Sequence, residues 1–373
     1  LPILQPLYED VQVETFQGKY QVQLEILPES TLTRDDIQRV LELASWRKDP
    51  NTEPVSYEGG RGILVPRKEP ITIQDQKLET LLISGIGYRK MLVDDSGNAS
   101  VEEDIFYPPS TENFMDGLPK GLIGYSYAKG EEIVDEFDGY SPLGTYTTET
   151  LKEKIEQTRL ASGLGLTKLI VPPIEAYGRF VNEELQNDSG NFGFLVFSVP
   201  ENNKRFRERL RNIICSGKED NTILNHVLQS MQSFISVIYP GLYELHWKGY
   251  AHGSTHLSNW YSENKAILSD WETTQKLDGN RIDNALNCLI DFHRPIVEMC
   301  HLIKDFEIDQ ELLEKIEEAI FYDAIENYCP ERYPGFNLDP RKIDLRDKDS
   351  KTRPELIEWM KQCMETELSL KIV

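Results

Sequence analysis

The chain has 373 residues, with 40 Lys+Arg against 63 Asp+Glu, so its formal charge is 40 − 63 = −23. That excess excludes a general nucleic-acid binder, because sequence-independent affinity for phosphate backbones comes from Lys and Arg surface. A hydrophobic fraction of 39% with aromatics at 10% is too apolar for a disordered chain, and the length suits two lobes or domains.

No stretch reaches the roughly 20 apolar residues that span a bilayer, and runs such as Phe234 to Pro240 are far shorter. The start, Leu1 to Gln5, lacks the basic flank and continuous apolar core of a signal peptide. The five cysteines (Cys215, Cys288, Cys300, Cys329, Cys363) are odd in number and widely separated, with no Cys-x-x-Cys pair. Together these features predict a soluble protein of the reducing cytoplasm, without a membrane span.

In chain order, alternation over Tyr20 to Ile26 predicts a strand. A helix follows from Thr33, with Asp36 as its capping-box partner and Ile37, Val40, Leu41 and Leu43 on its stripe. Gly62 to Val65 and Leu81 to Gly87 read as strands, and the polar, acidic residues from Asp94 to Asn113 as a loop or insertion. A helix spans about Thr148 to Ala161, and apolar runs at Leu169 to Ile174, Ala176 to Phe180 and Phe192 to Val199 lead to a linker at Pro200 to Asn203. Beyond it the period becomes helical: Ile223 to Ile238, Leu286 to Ile303 and Leu312 to Asn327. The pattern predicts an α+β protein with a β-rich N-terminal lobe at 1–200 and a helical C-terminal lobe at 201–373.

The chemistry-bearing stretch runs from Leu245 to Asn259 and on through Lys265 to Glu272. Phosphoryl transfer needs side-chain oxygens that hold a divalent metal between nucleotide phosphates, and Asn259 and Asp270 flank a short predicted hairpin that can bring them together. Taken in isolation, an Asn and Asp in this setting read first as a polar surface hairpin. His252 and His256 have a spacing that on a helix would suit zinc, but Gly253 and the flanking Gly249 and serines favour a loop.

The stretch resembles the catalytic and metal-binding segments of the protein-kinase-like superfamily, especially its aminoglycoside-phosphotransferase-like and selenoprotein O-like branches. Those carry His-Gly-x-x-x-x-x-Asn, then an apolar strand ending in Asp. Here His252, Gly253, Asn259 and Asp270-Trp271-Glu272 fill the pattern. The resemblance covers roughly Gly60 to Glu272 and implies a bilobal kinase-like fold with ATP and magnesium as cofactors. It further implies metal ligation by Asn259 and Asp270, approach of Gly85 and Gly87 to the phosphates, and an acceptor, a small molecule or a protein, near His252, Ser254 and His256. The glycine reading has a physical basis, since a missing Cβ lets backbone approach phosphate oxygens.

Two positions depart from the family. The strand lysine that would hold phosphate is Ser84, leaving Lys129, Arg89 or Lys90 as substitutes, with Glu153 the choice for the helix glutamate that pairs with it. The aspartate that would accept the acceptor's proton is Ser254, a poor base, so His256 is the remaining proton-transfer candidate. Two readings follow: an ATP- and magnesium-dependent phosphoryl or adenylyl transferase, or a pseudokinase scaffold. The basic run Lys204 to Arg211 is either a solvated helix face or a patch for an acidic partner or nucleotide phosphates.

Overall fold

The alternation after Tyr20 puts Val22, Leu24 and Ile26 on one face and Gln23 and Glu25 on the other, and all five side chains are buried. In the computed structural model, which describes every residue except 1–2, 59, 90, 94–98, 102–104, 114–121, 127–130, 136–141, 188–189, 201–204, 217–220, 263–264, 307, 331–351 and 369–373, this stretch is a strand of the main sheet.

In chain order, β1 (Gln12–Gln17), β2 (Gln21–Ile26) and α1 (Arg34–Ala44) precede β3 (Ser56–Glu58), β4 (Gly62–Ile73) and β5 (Gln76–Ser84). Short ladders follow: β6 (Met91–Val93) with β7 (Ala99–Val101), β8 (Ser110–Asn113) with β11 (Pro142–Leu143), and β9 (Leu122–Ser126) with β10 (Glu131–Asp135). Next are β12 (Tyr146–Thr147), α2 (Thr148–Gly163), β13 (Leu169–Ile170), β14 (Ile174–Phe180), β15 (Gln186–Asn187) and β16 (Gly190–Val199). The remainder is mostly helical: α3 (Phe206–Cys215), α4 (Asn221–Trp247), β17 (Tyr250–Ala251), β18 (Trp260–Ser262), β19 (Ala266–Leu268), β20 (Gln275–Lys276), α5 (Arg281–Ile303), α6 (Gln310–Tyr328) and α7 (Thr352–Leu368). The architecture is thus mixed α+β, an antiparallel sheet region followed by a helical one, as the sequence predicts. The stretch read as a loop from Asp94 contains β7 and β8, each too short to show a period.

The chain divides into two compact units. The first comprises Leu1–Leu122, Glu136–Leu160 and Pro172–Asn203; the second comprises Ile123–Asp135, Ala161–Val171 and Lys204–Val373.

In the first unit the sheet order is β1-β2-β14-β16-β5-β4-β3, and its pairings are antiparallel. Helix α1 starts where the sequence places it: Thr33 accepts from the Asp36 amide and Asp36 accepts from the Thr33 amide, the reciprocal capping box. Its residues Val40, Leu41 and Leu43 pack with Val22, Leu24 and Phe194 on one face of the sheet. On the other face Leu151 and Ile155 of α2 pack with Ile174, Tyr177 and Leu195. The second face also carries the buried ion pair of Arg179 with Glu25, while the buried pair of Arg67 with Glu175 lies on the α1 side, where Arg67 follows Val65 along β4 and also bonds Thr31. Glu175 further accepts from Ser198 Oγ at 2.6 Å and the Thr31 amide at 2.6 Å, so the buried carboxylate is hydrogen-bonded as well as paired.

In the second unit, α4 supplies Met231, Phe234, Ile235, Ile238, Leu242 and Leu245 to one continuous core shared with α5, α6 and α7. Among the described residues no helix is long and apolar enough to cross a membrane.

Candidate functional site

The loop after α4 is fixed from below by one carboxylate. Asp291 of α5 is fully buried; its Oδ2 accepts from the His252 amide at 2.5 Å and His246 Nε2 at 3.1 Å, and its Oδ1 from the Gly253 amide at 2.8 Å. His246 Nδ1 in turn lies 2.5 Å from the hydroxyl of Tyr328, whose ionisation burial pushes well up. Pro295 inside α5 has no N–H for the Asp291 carbonyl, and Thr255 Oγ1 donates to that carbonyl instead, at 2.9 Å. Gly253 takes a left-handed φ of 81°, where a Cβ would stand 2.8 Å from the Thr273 carbonyl.

His252 is built into this scaffold. It is fully buried; its Nδ1 accepts from the Ser254 amide at 3.2 Å, its Nε2 donates to the Ser269 carbonyl at 3.0 Å, and its ring stands edge-on to Trp271. Both ring nitrogens are thus engaged by the backbone of the loop and of Ser269.

Asn259 and Asp270 do come together, and a third residue lies between them. Asn259 Nδ2 donates to the Ser254 carbonyl at 2.9 Å, which turns its Oδ1 toward Arg205 Nη1 at 3.4 Å. The same nitrogen lies 3.6 Å from Asp270 Oδ2 and donates to the Ser258 carbonyl at 2.6 Å. Asp270 holds its carboxylate there from a left-handed backbone, φ 60° and ψ 58°, just before the short turn Trp271–Thr273. Both oxygens that a magnesium ion would need face the Arg205 guanidinium, which puts a positive charge beside them.

Ser254 contributes its carbonyl to Asn259 and has its hydroxyl 3.4 Å from Asn259 Nδ2. His256 precedes the turn Leu257–Asn259; burial foremost, then the Arg294 charge, pulls its pKa from 6.5 to about 4, so it is neutral at neutral pH.

In the first unit, Ser84 ends β5 with its hydroxyl 2.7 Å from the Tyr146 hydroxyl. Gly85 has φ 104°, and a Cβ there would meet the Tyr146 ring at 2.8 Å and the Gly193 carbonyl at 2.9 Å, so protein already approaches it. A Cβ on Gly87 would stand 2.3 Å from the Tyr107 carbonyl. Glu153 is exposed on α2, whereas its neighbour Lys154 is buried with its ammonium 5.4 Å from the Tyr146 ring centre. Arg89 lies with its guanidinium 5.8 Å from the Tyr57 ring centre, and Lys90 and Lys129 lie outside the described residues.

Arg205 and Asp291 are the residues around this loop that the sequence does not single out. Arg205 was visible only as a member of the basic run. Asp291 had a clearer signal, a carboxylate on the apolar stripe of α5 between Cys288 and Pro295.

No family model and no curated protein matches the chain. Among solved structures, it is similar to the kinase domain of a Toxoplasma gondii specific rhoptry antigen, with 10% identity, 82% of this chain and 88% of that chain covered, and a TM-score of 0.35. It is also similar to a divergent Toxoplasma kinase lacking the glycine-rich loop, which regulates membrane ultrastructure of the parasitophorous vacuole. That match has 14% identity, covers 48% of this chain and 60% of that chain, and has a TM-score of 0.23. Both scores are low, so the architecture of this chain rests on its own strands, helices and contacts.

Proposed function

We propose that the chain is a kinase-like scaffold that does not transfer phosphate, a pseudokinase whose loop around His252 is stabilised by an internal cation. The kinase-like part is supported by the order of elements: an antiparallel sheet with α2 between β5 and β14, then helices, the His252-Gly253 to Asn259 loop and the strand pair ending at Asp270. The observation that carries the scaffold reading is Arg205, whose Nη1 lies 3.4 Å from Asn259 Oδ1 and 3.6 Å from Asp270 Oδ2. A permanent positive charge at this point balances the carboxylate that would otherwise bind metal. The serines at positions 84 and 254 supply neither a phosphate-binding charge nor an effective base.

The test is thermal stability with and without magnesium and ATP. A ligand at about 100 times its Kd adds about 2.7 kcal/mol of stability, readily seen as a melting shift. The wild-type protein is expected to show no such shift, while Arg205→Ala, which removes the guanidinium from beside both oxygens, gains a shift with magnesium or manganese. A magnesium-ATP shift in the wild type that Asp270→Ala abolishes, or transfer of label from ATP, overturns the scaffold reading in favour of the transferase.

A further inference from the structure

The second face of the first unit's sheet binds a piece of peptide backbone with side chains. The Leu4 amide donates to Gln23 Oε1 at 2.7 Å, and Gln23 Nε2 donates back to the Leu4 carbonyl at 3.0 Å. Arg179 Nη2 donates to the Gln5 carbonyl at 2.6 Å, and the Leu7 amide donates to Glu25 Oε2 at 3.0 Å. Residues 4–7 therefore have their backbone groups read by Gln23 and Glu25 of β2 and by Arg179 of β14, side chains projecting from the sheet.

Two anchors accompany these bonds. Leu7 and Tyr8 pack against the cluster of Leu27, Leu151, Ile155, Ile174, Tyr177 and Leu195. The Tyr8 ring stands edge-on to Tyr177 at 5.9 Å and under the Arg159 guanidinium at 5.0 Å, and burial then the Glu156 charge push its phenol up to about 12. Backbone hydrogen bonds that give affinity, combined with pockets for alternate side chains, are the chemistry by which proteins hold extended peptides. Pro6 reduces the entropy lost when such a segment docks.

The floor is also paired with itself. Glu25 accepts from Arg179 Nε at 3.1 Å, from Gln23 Nε2 at 2.9 Å and from the Tyr177 hydroxyl, so its charges keep partners when the segment leaves. A buried carboxylate that keeps partners with and without the segment lowers the cost of its departure, as reversible binding requires.

We propose that this face is a peptide-binding site occupied in cis by residues 4–8, and that it accepts in trans an extended peptide with the same proline-leucine-tyrosine pattern once the cis segment is weakened. Tethering keeps the cis segment at high effective concentration, so the intact protein masks the site. The probe is a fluorescein-labelled decapeptide of the sequence Leu1 to Asp10, and the receptor is the full chain carrying Leu7→Asp, which changes the strap and leaves the floor intact. In fluorescence anisotropy the variant is expected to bind the peptide at least about tenfold more tightly than the wild type does, because its competent fraction is larger. The same decapeptide carrying Leu7→Asp is expected not to bind. A folded variant that binds no better than the wild type overturns the proposal. If Leu7→Asp fails to fold, a protease site between Asp10 and Val11, cut after folding, replaces it: exchange of the cut segment for labelled peptide supports the site, and loss of the segment without uptake overturns it.

Discussion

A histidine with a pKa near 4 is a weak base at neutral pH, and His256 is therefore poorly suited to the proton transfer that its position suggests. Its depressed value has a consequence for stability. Between pH 6.5 and 4 the unfolded chain binds the proton that the folded chain refuses, so this contribution is intact above 6.5 and declines as pH falls toward 4. The urea midpoint of the wild type is expected to drop over that interval more steeply than that of His256→Gln; equal slopes remove the residue from the account. Gly253 is sensitive for a different reason. An alanine there carries about 1–2 kcal/mol of left-handed strain before its Cβ meets the Thr273 carbonyl at 2.8 Å, so Gly253→Ala is expected to lower the melting temperature by at least that equivalent. At this scale His252, Asn259 and Asp270 were legible as a local group because they are close in sequence. The guanidinium between two of them was not, since Arg205 reaches them from a distant segment.

Among the elements, α5 is the support of the candidate site. A buried carboxylate and a helix-interior proline, four residues apart, together present one side chain and one freed carbonyl to the loop. Hydrogen bonds to a charged group contribute about 1.5–3 kcal/mol each, and Asp291→Ala leaves the buried amide of His252 and that of Gly253 without this acceptor. The substitution is expected to cost about 3 kcal/mol or more, read from the urea midpoint at pH 7 by tryptophan fluorescence, because Trp260 and Trp271 are buried beside the loop. Thr255→Val, which removes only the bond to the Asp291 carbonyl, is expected to cost about 1 kcal/mol in the same assay. The helices themselves were readable from period and caps: the Thr33 box, the α4 stripe and most of α5 and α6 fall where the pattern puts them. The order of the main sheet was not, because β2 pairs with β14 and β5 with β16, contacts between residues far apart in sequence that no local window contains.

Charge acts on the molecule as a whole. With 63 acidic and 40 basic side chains, pairing every Lys and Arg would still leave 63 − 40 = 23 carboxylates without a basic partner. Such an excess destabilises the folded state through self-repulsion, and salt weakens repulsion between exposed charges over a Debye length of about 10 Å at 0.1 M. The pairs that salt would also weaken contribute little, since those such as Lys315 with Glu311 and Lys68 with Asp35 are exposed. The pairs of consequence, Arg67 with Glu175 and Arg179 with Glu25, are buried and screened much less. Repulsion is therefore the larger salt-sensitive quantity. Raising KCl from about 10 to 150 mM at pH 7 is expected to raise the melting temperature by about 1–2 °C, the response of a chain of this size to about 1 kcal/mol. A melting temperature that falls across the same titration would mean that surface ion pairs outweigh the acidic excess.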